Sequence, residues 1–435
     1  MWLSELHALS MPLYALPARQ RSCEPAPGLI NDFCVKSIQT KISYIFWDTA
    51  KSMIALGIIA SIYFGFFGTG WQVTGEMTRW GGEFLELFGL DTSKYSYYQM
   101  TNLSGSPLTR YEGLVLIGMF IGALIAALFA NKVKFRLPAS RIRIFQAIVG
   151  GILAGFGARL AFGCNLLDFF TGLPYFSLHT WEFAVFMVLG IWCATKVGKL
   201  KIFMPKATPQ KCGINGKGIE HDKGRAKRHF RYGVVILIAT LVWLVYLFVV
   251  TEPFKLGVKS SFLPLGLIFG LIFGFIISRG QVCFTSCFRD LFLFGRDNAA
   301  KGAFYGMLIA TFIVFVLMLN GYLAFVRSFS VAVALGAFLF GFGIVFAGGC
   351  ECGWAYRAAE GQTHFMIVGV ANFAGTAILA IIYDQIPDWI KSGPKIQFLN
   401  ELGSLPGLTL NVGLLLLCVA LIFAYKKRFF AKGGY

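Results

Sequence analysis

The chain has 435 residues, of which 57% are hydrophobic and only 14% are charged. Soluble domains carry about 25% charged residues, so this composition excludes an ordinary water-soluble enzyme or binding module. The net charge of +18 would suit a nucleic-acid partner, but the basic residues lie between apolar runs and form no stripe with interleaved aromatics. Composition therefore indicates an integral membrane protein whose partner is the lipid bilayer and not a nucleic acid.

Residues 1–42 precede the first apolar run and are expected to form an N-terminal extension, cytoplasmic and poorly ordered. The first twenty residues contain Glu5 and lack a basic start followed by a clean apolar core. No cleavable signal peptide is therefore expected.

Ten apolar runs follow, each roughly 17–21 residues long, which is enough to cross a hydrocarbon core of about 30 Å. They are predicted at residues 53–69, 111–130, 144–163, 181–196, 232–250, 262–278, 302–322, 331–349, 365–383 and 408–425. The sequence therefore predicts an all-α polytopic membrane protein with about ten transmembrane helices.

The distribution of basic residues predicts the orientation. Lys and Arg are concentrated in the connections 131–143 and 196–231 and in the tail at 426–428, which all fall on one side if the ten spans are correct. The opposite connections differ, since 164–180 has no Lys or Arg and 70–110 is rich in Glu. By the positive-inside rule the basic side is the cytoplasm. We expect a multi-pass protein of a bacterial inner membrane with both termini in the cytoplasm.

A sequence pattern occurs twice. Residues 155–164 (GFGARLAFGC) and 341–350 (GFGIVFAGGC) each end an apolar run with a cysteine. The first four spans align with the sixth to ninth spans around the two motifs. The fifth span, at 232–250, links the two copies, so the second copy starts after five crossings. An odd number inverts the second copy, the usual architecture of transporters. The predicted units are a first repeat, a basic cytoplasmic loop, a linker helix and a second repeat with the C-terminal helix, at residues 43–198, 199–231, 232–250 and 251–430.

Each repeat also contains a short polar segment after its first span, at 72–80 and 281–290. Both are too short and too polar to cross the membrane, so we expect half-helices or re-entrant segments that are covered by protein or line a cavity. The second segment contains Cys283 and Cys287, whereas the first contains no thiol.

Several motifs together are similar to one known family. They are SPLTR at 106–110, SRIRI at 140–144, AGFGARLAFGCN at 154–165, FTG at 170–172, CFTS-x-FRD at 283–290 and AGGCE-x-GW-x-YRA-x-EGQ at 347–362. With these motifs the chain resembles the YeeE/YedE family of sulfur-transport membrane proteins over residues 43–430, and its YedE branch in particular, which is proposed to handle selenium compounds.

The resemblance implies uptake of a small sulfur- or selenium-containing solute, thiosulfate in the best understood members, along a path lined by cysteines. The path cysteines correspond to Cys164, Cys283 and Cys350. A small cytoplasmic sulfur-carrier protein is the partner that such uptake implies. The chain departs from the family at residues 1–42, in the 199–228 loop, and at Cys287 and Cys352, where related members often have a small residue or Thr.

The chemistry of a thiol suits such a path, because it offers a weak S–H donor and a soft sulfur that can contact the substrate without holding it. We expect three thiol stations staggered across the membrane, with Cys164 open to the periplasm and Cys350 open to the cytoplasm. Nearby guanidinium groups would offset the charge of the anion. The pathway candidates are thus Cys164, Cys283, Cys350, Arg159, Arg289 and Arg357, with Cys287, Cys352 and Gln281 as accessory residues.

Other interpretations stay open. A membrane thiol oxidoreductase or sulfurtransferase would use Cys283 as the nucleophile and Cys287 as the resolving thiol on one helical face. The paired cysteines lack His at ligand spacing, so no metal is expected, and no cofactor motif is present. Each Arg could be an ordinary loop charge, with Arg289 held by Asp290. Glu351 and Glu360 are expected to be solvated loop carboxylates, and the mid-span Cys193 and Cys418 to be small apolar residues.

The sequence does not distinguish thiosulfate from a selenium species, or a channel from an ion-coupled transporter. It also leaves the oligomeric state open.

Overall fold

The computed structural model describes residues 46–138, 140–203, 223–251 and 262–431. The predicted extension at 1–42 and most of the basic loop predicted at 199–231 lie outside these residues. Within the described ranges there is no strand, and ten helices are long and apolar enough to cross a membrane. The prediction of an all-α polytopic membrane protein with about ten transmembrane helices is confirmed.

The ten spanning helices agree with the predicted runs to within a few residues at most ends. They are α1 (Thr49–Phe67), α3 (Tyr111–Phe129), α4 (Arg141–Leu160), α5 (Leu178–Val197), α6 (Lys223–Val250), α7 (Leu263–Gly280), α9 (Asn298–Leu319), α10 (Val331–Ala347), α12 (Thr363–Ile382) and α13 (Ser404–Ala431). The first turns of α6 carry the basic residues Arg225 and Arg228, which apolarity alone placed in a loop. A helix continues past the hydrocarbon core wherever its backbone hydrogen bonds can, so hydropathy underestimates its length.

Shorter helices interrupt these spans. They are α2 (Thr74–Leu87), α8 (Phe284–Phe294) and α11 (Glu351–Ala359), together with a single π-helical segment, Asn165–Phe170. Both predicted half-helices are present, but α2 extends well past the predicted end at residue 80. The preceding helices end where the backbone adopts a left-handed conformation, at Gln281 after α7 and at Gly348 after α10.

The bundle is built on close helix pairs: α1 packs on α9, α3 on α7, and α10 packs between α4 and α5, while α12 packs on the other side of α4. Small residues permit this approach. A Cβ at Gly118 of α3 would lie 2.8 Å from the carbonyl oxygen of Leu267 in α7, and one at Gly57 of α1 would lie 2.5 Å from that of Gly306 in α9. Such glycine contacts are typical of helix packing in a membrane.

The helix bundle has a basic end and an opposite end. The basic end is the one at which α3 ends and α4 begins, and the opposite end is the one at which α4 ends and α5 begins. Ala347, the last residue of α10, packs on Gly150, which is halfway along α4. Helix α10 therefore stops inside the bundle, and α11 covers the remaining distance to the basic end. Cys350, between them, lies deep in the protein.

Candidate functional site

Three cysteine sulfur atoms meet inside the bundle. The Sγ atom of Cys350 lies 3.8 Å from that of Cys283 and 3.4 Å from that of Cys352. All three side chains are at most 1% exposed. We call these three residues the thiol cluster. The prediction of staggered stations is wrong for Cys283 and Cys350, because the chain breaks that follow α7 and α10 come together at one point.

A glycine makes this contact possible. Gly353, in the first turn of α11, packs directly against the cluster, and a Cβ there would lie 2.6 Å from the Sγ atom of Cys283. No larger residue fits without moving the thiol, so Gly353 sets how closely Cys283 approaches the start of α11.

Helix starts surround the cluster. Cys283 is the N-cap residue of α8 and Cys350 that of α11. The backbone N–H groups of Thr285 and Phe284, in the first turn of α8, interact with the sulfur atoms of Cys350 and Cys352 respectively. The first N–H groups of a helix lack partners within that helix and carry partial positive charge, which favours an anion. The cluster thus combines soft sulfur atoms with aimed donors.

Cys164, which ends the matching sequence motif, is the N-cap residue of the π-helical segment. It is fully buried and interacts electrostatically with Cys352 and Glu351, so it lies beside the thiol cluster. The expectation that Cys164 opens to one side and Cys350 to the other is wrong for this structure, since neither side chain reaches either surface.

The remaining cysteines are separate from this arrangement. The thiol of Cys287 donates to the carbonyl oxygen of Cys283 at 3.6 Å, so it is directed along its own helix. The thiol neighbour of Cys283 is Cys350 and not Cys287, so the pairing that the alternative thiol enzyme would use is not present. Cys193 and Cys418 are partly exposed on α5 and α13, as expected for apolar positions in plain spans.

The three predicted arginines have different environments. Arg357 interacts with Cys283 and Cys350 electrostatically, and its Nη1 donates to the carbonyl oxygen of Gly348 at 2.9 Å. Arg289 pairs with the neighbouring carboxylate of Asp290 at 2.8 Å and does not face the thiols. Of the three, Arg357 is the one against the cluster.

The accessory Gln281 lies toward the basic end. Its Nε2 donates to the Glu360 carboxylate at 3.2 Å and to the carbonyl oxygen of Ser278 at 2.8 Å. Glu360 is 6% exposed, and Glu351 is fully buried and accepts hydrogen bonds from Trp354 and Asn372. The expectation that Glu351 and Glu360 are solvated is wrong, because they lie at the two ends of α11 and both are buried.

Arg159 lies near the opposite end, in the last turn of α4, and is 4% exposed. Among the described residues, nothing accepts a hydrogen bond from its Nε or Nη2. Together with Arg327 it lines a cavity of about 160 Å³.

The sequence reasoning missed Arg327 and Asp168. Arg327 and Asp168 line a second cavity of about 140 Å³ with His179. Asp168 lies between two spans, and burial raises the pKa of its carboxyl to about 6, against the attraction of Arg327 and Arg159. A signal was available, because an Arg in a connection on the non-basic side runs against the charge rule.

Metal ligation has no support in the part of the chain described. No group of three or more His, Cys, Asp or Glu side chains there has the geometry to hold an ion.

Comparison with known proteins agrees with this architecture of a polytopic membrane protein. A family model described as sulphur transport matches residues 8–193 and 279–432. The chain therefore belongs to the sulphur transport family, and it is a membrane transporter rather than an enzyme.

Individual relatives carry transporter names. The probable transporter YedE of Salmonella typhimurium is 44% identical over 390 residues, 89% of this chain and 95% of that protein. The probable transporter YedE of Escherichia coli is equally similar, at 44% over 390 residues. The thiosulfate transporter TsuA of Spirochaeta thermophila is 41% identical over 90 residues, which is 21% of this chain and 27% of that protein.

Proposed function

We propose that this protein imports a small sulfur- or selenium-containing anion, thiosulfate-like in size and charge, through the thiol cluster. The observation that carries the proposal is the fully buried contact of Cys283, Cys350 and Cys352 at the starts of two helices. A soft anion meeting this cluster finds weak S–H donors and backbone N–H groups in place of its water. Two relatives named as thiosulfate transporters support the substrate class.

The proposed path has three parts. At the opposite end the anion meets Arg159, it then passes Cys164 and the thiol cluster, and it leaves past Arg357 and Gln281. Arg289, Cys287 and the Asp290 pair have a supporting role beside this path. Arg357 offsets negative charge at the cluster without closing it, because it is held by the carbonyl oxygen of Gly348.

The proposed orientation in the membrane rests on the charge rule. We propose that the basic end faces the cytoplasm of a bacterial cell, that the membrane is the inner one, and that both termini are cytoplasmic. A small sulfur-carrier protein of the cytoplasm would then receive the imported sulfur or selenium at the basic end.

We further propose that residues 43–198 and 251–430 are inverted repeats joined by the basic loop and the linker helix. The helix contacts support this arrangement, because the α1–α9 pair mirrors the α7–α3 pair and the α4–α12 pair mirrors the α10–α5 pair. In such an architecture the substrate site lies where the halves meet, which is where Cys283 of α8 and Cys164 of the first repeat are found.

The test is uptake of labelled thiosulfate in a host that lacks its own thiosulfate and selenite uptake. Cells expressing the protein should accumulate the label, and unlabelled selenite or sulfite should compete to an extent that ranks the substrates. Expression is checked by an immunoblot of the membrane fraction. Absence of uptake of every sulfur and selenium anion by a well-expressed protein would sink the proposal.

A further inference from the structure

Arg159 and Arg327 share one cavity without using all their donors. Arg159 comes from the last turn of α4, and Arg327 from the connection between α9 and α10. The Nε and Nη2 atoms of Arg159 and the Nη1 atom of Arg327 are buried, and none has a hydrogen-bond partner among the described residues. Both line the cavity of about 160 Å³ at the opposite end of the bundle.

Burying guanidinium N–H groups without hydrogen-bond partners costs free energy, because these groups lose their hydration. A buried charge needs an opposite charge and hydrogen bonds to offset its lost hydration. Asp168 attracts both arginines, but one carboxylate balances only one of them, and its Oδ2 atom also lacks a partner. The site therefore has an excess of N–H donors.

The other acids around the cavity are already engaged. Glu76 accepts from Arg110 at 2.7 Å, from Arg79 at 3.0 Å and from Trp80 at 2.9 Å. Glu112 lies 3.6 Å from the guanidinium of Arg79. Arg110 also pairs with Glu83 at 2.6 Å. These three carboxylates and the two arginines satisfy one another, so the unpartnered donors that line the cavity belong to Arg159 and Arg327.

The donor geometry selects a class of ligand. A guanidinium group binds two oxygen atoms of one anion in parallel, and two such groups suit an anion with several oxygen atoms and two charges. A cavity of about 160 Å³ holds several water-sized volumes of about 30 Å³, enough for a tetrahedral oxyanion and a water.

We infer that Arg159 and Arg327 form a binding site for a doubly charged tetrahedral oxyanion, separate from the thiol cluster. The inference deepens the proposed function and rests on it for the direction of travel: the site would hold the substrate by its oxygen atoms before the sulfur atom reaches the thiols. Because the site recognises oxygen and charge, it binds sulfate as well as thiosulfate.

The experiment is equilibrium binding of radiolabelled sulfate and thiosulfate to the purified full-length protein. Arg327→Gln and Arg159→Gln should each weaken the binding of both anions at least tenfold, and Arg327→Lys should recover part of it. Arg296→Gln is the matched control, since it removes a cation that is exposed and lies outside the cavity.

A second measurement uses the wild-type protein and so does not depend on the folding of a variant. Phenylglyoxal modifies arginine, and sulfate should protect Arg159 and Arg327 from it, as read by peptide mass spectrometry. Binding by both Gln variants at the wild-type level, or equal modification with and without sulfate, would overturn the inference. If the anions bind but are not imported, the proposed function fails and this site stands; if uptake occurs without arginine-dependent binding, the reverse holds.

Discussion

The sulfur atoms of Cys283 and Cys350 are 3.8 Å apart, although 67 residues separate them in the chain. Each caps the start of a short helix that follows a break in a spanning helix. The contact therefore joins two chain breaks, and it concentrates in one place the thiols that a path would otherwise distribute along its length. The predictions below test what this concentration does.

Replacing Cys283 with Ala should reduce uptake at least tenfold, because it removes one side of the thiol cluster. Cys283→Ser should retain part of the uptake, since a hydroxyl still donates a hydrogen bond. The measurement is initial uptake of labelled thiosulfate at matched expression. Cys193→Ala and Cys418→Ala are the controls and should transport normally, and full activity of Cys283→Ala would argue against a thiol path.

Transport that involves no covalent reaction of the substrate with Cys283 can be recognised by its products. The imported anion should be recovered unchanged, and mass spectrometry of the protein during turnover should find no persulfide or selenosulfide on Cys283. An adduct that forms and disappears with uptake would show that the cysteine reacts covalently.

Mild oxidation should close the path. Cys350 has thiol neighbours at 3.8 Å and 3.4 Å, so a small membrane-permeable oxidant such as diamide should convert one pair to a disulfide. Two thiols lose two electrons and two protons to diamide, and the bridge removes the donors that the anion needs. Uptake should fall severalfold and recover with dithiothreitol, whereas a Cys350→Ala protein should show no oxidant-dependent change in whatever uptake remains.

Gly353→Ala should impair uptake as strongly as loss of a thiol. Its Cβ would lie 2.6 Å from the Sγ atom of Cys283, which forces that thiol away from the start of α11. Gly413→Ala is the matched control, because a Cβ there meets nothing within 4 Å. Equal uptake by the two variants would mean that the spacing of the thiols is unimportant.

The buried ion pair of Arg110 and Glu76, at the opposite end of the bundle, should contribute to the stability of the fold. Arg110 pairs with the fully buried Glu76 at 2.7 Å, and breaking a buried pair by removing one partner costs about 3 kcal/mol. Arg110→Ala should therefore lower the melting temperature in detergent by several degrees. Lys94→Ala should change it little, since Lys94 and Asp91 are mostly exposed and such pairs contribute about 0–1 kcal/mol. Equal melting temperatures for the two variants would contradict this account.

The spans were predictable from sequence because hydrocarbon thickness imposes a length on each apolar run, and this constraint acts on every helix independently. The breaks at Gln281 and Gly348 were also signalled, by polar or glycine-rich residues at the end of an apolar run. Local sequence was enough for these features.

The meeting of particular side chains was not predictable in the same way. Spacing left open a pairing of Cys283 with Cys287, whereas the two chain breaks bring Cys350 to within 3.8 Å of Cys283. Glu351 follows a cysteine at a chain break and resembled a loop residue, yet Asn372 of α12 holds it in the interior at 3.1 Å. Both outcomes depend on contacts between helices, which the order of residues along one helix does not contain.

The complete burial of the thiols also bears on the voltage across the membrane. A membrane that is negative inside opposes the entry of anions, at about 2.3 kcal/mol per charge for each 100 mV, so a dianion works against about 4.6 kcal/mol. A continuous water-filled hole would dissipate that voltage. With Cys164, Cys283 and Cys350 packed against protein, the proposed path is closed at this point, and a closed path preserves the voltage while no substrate is bound.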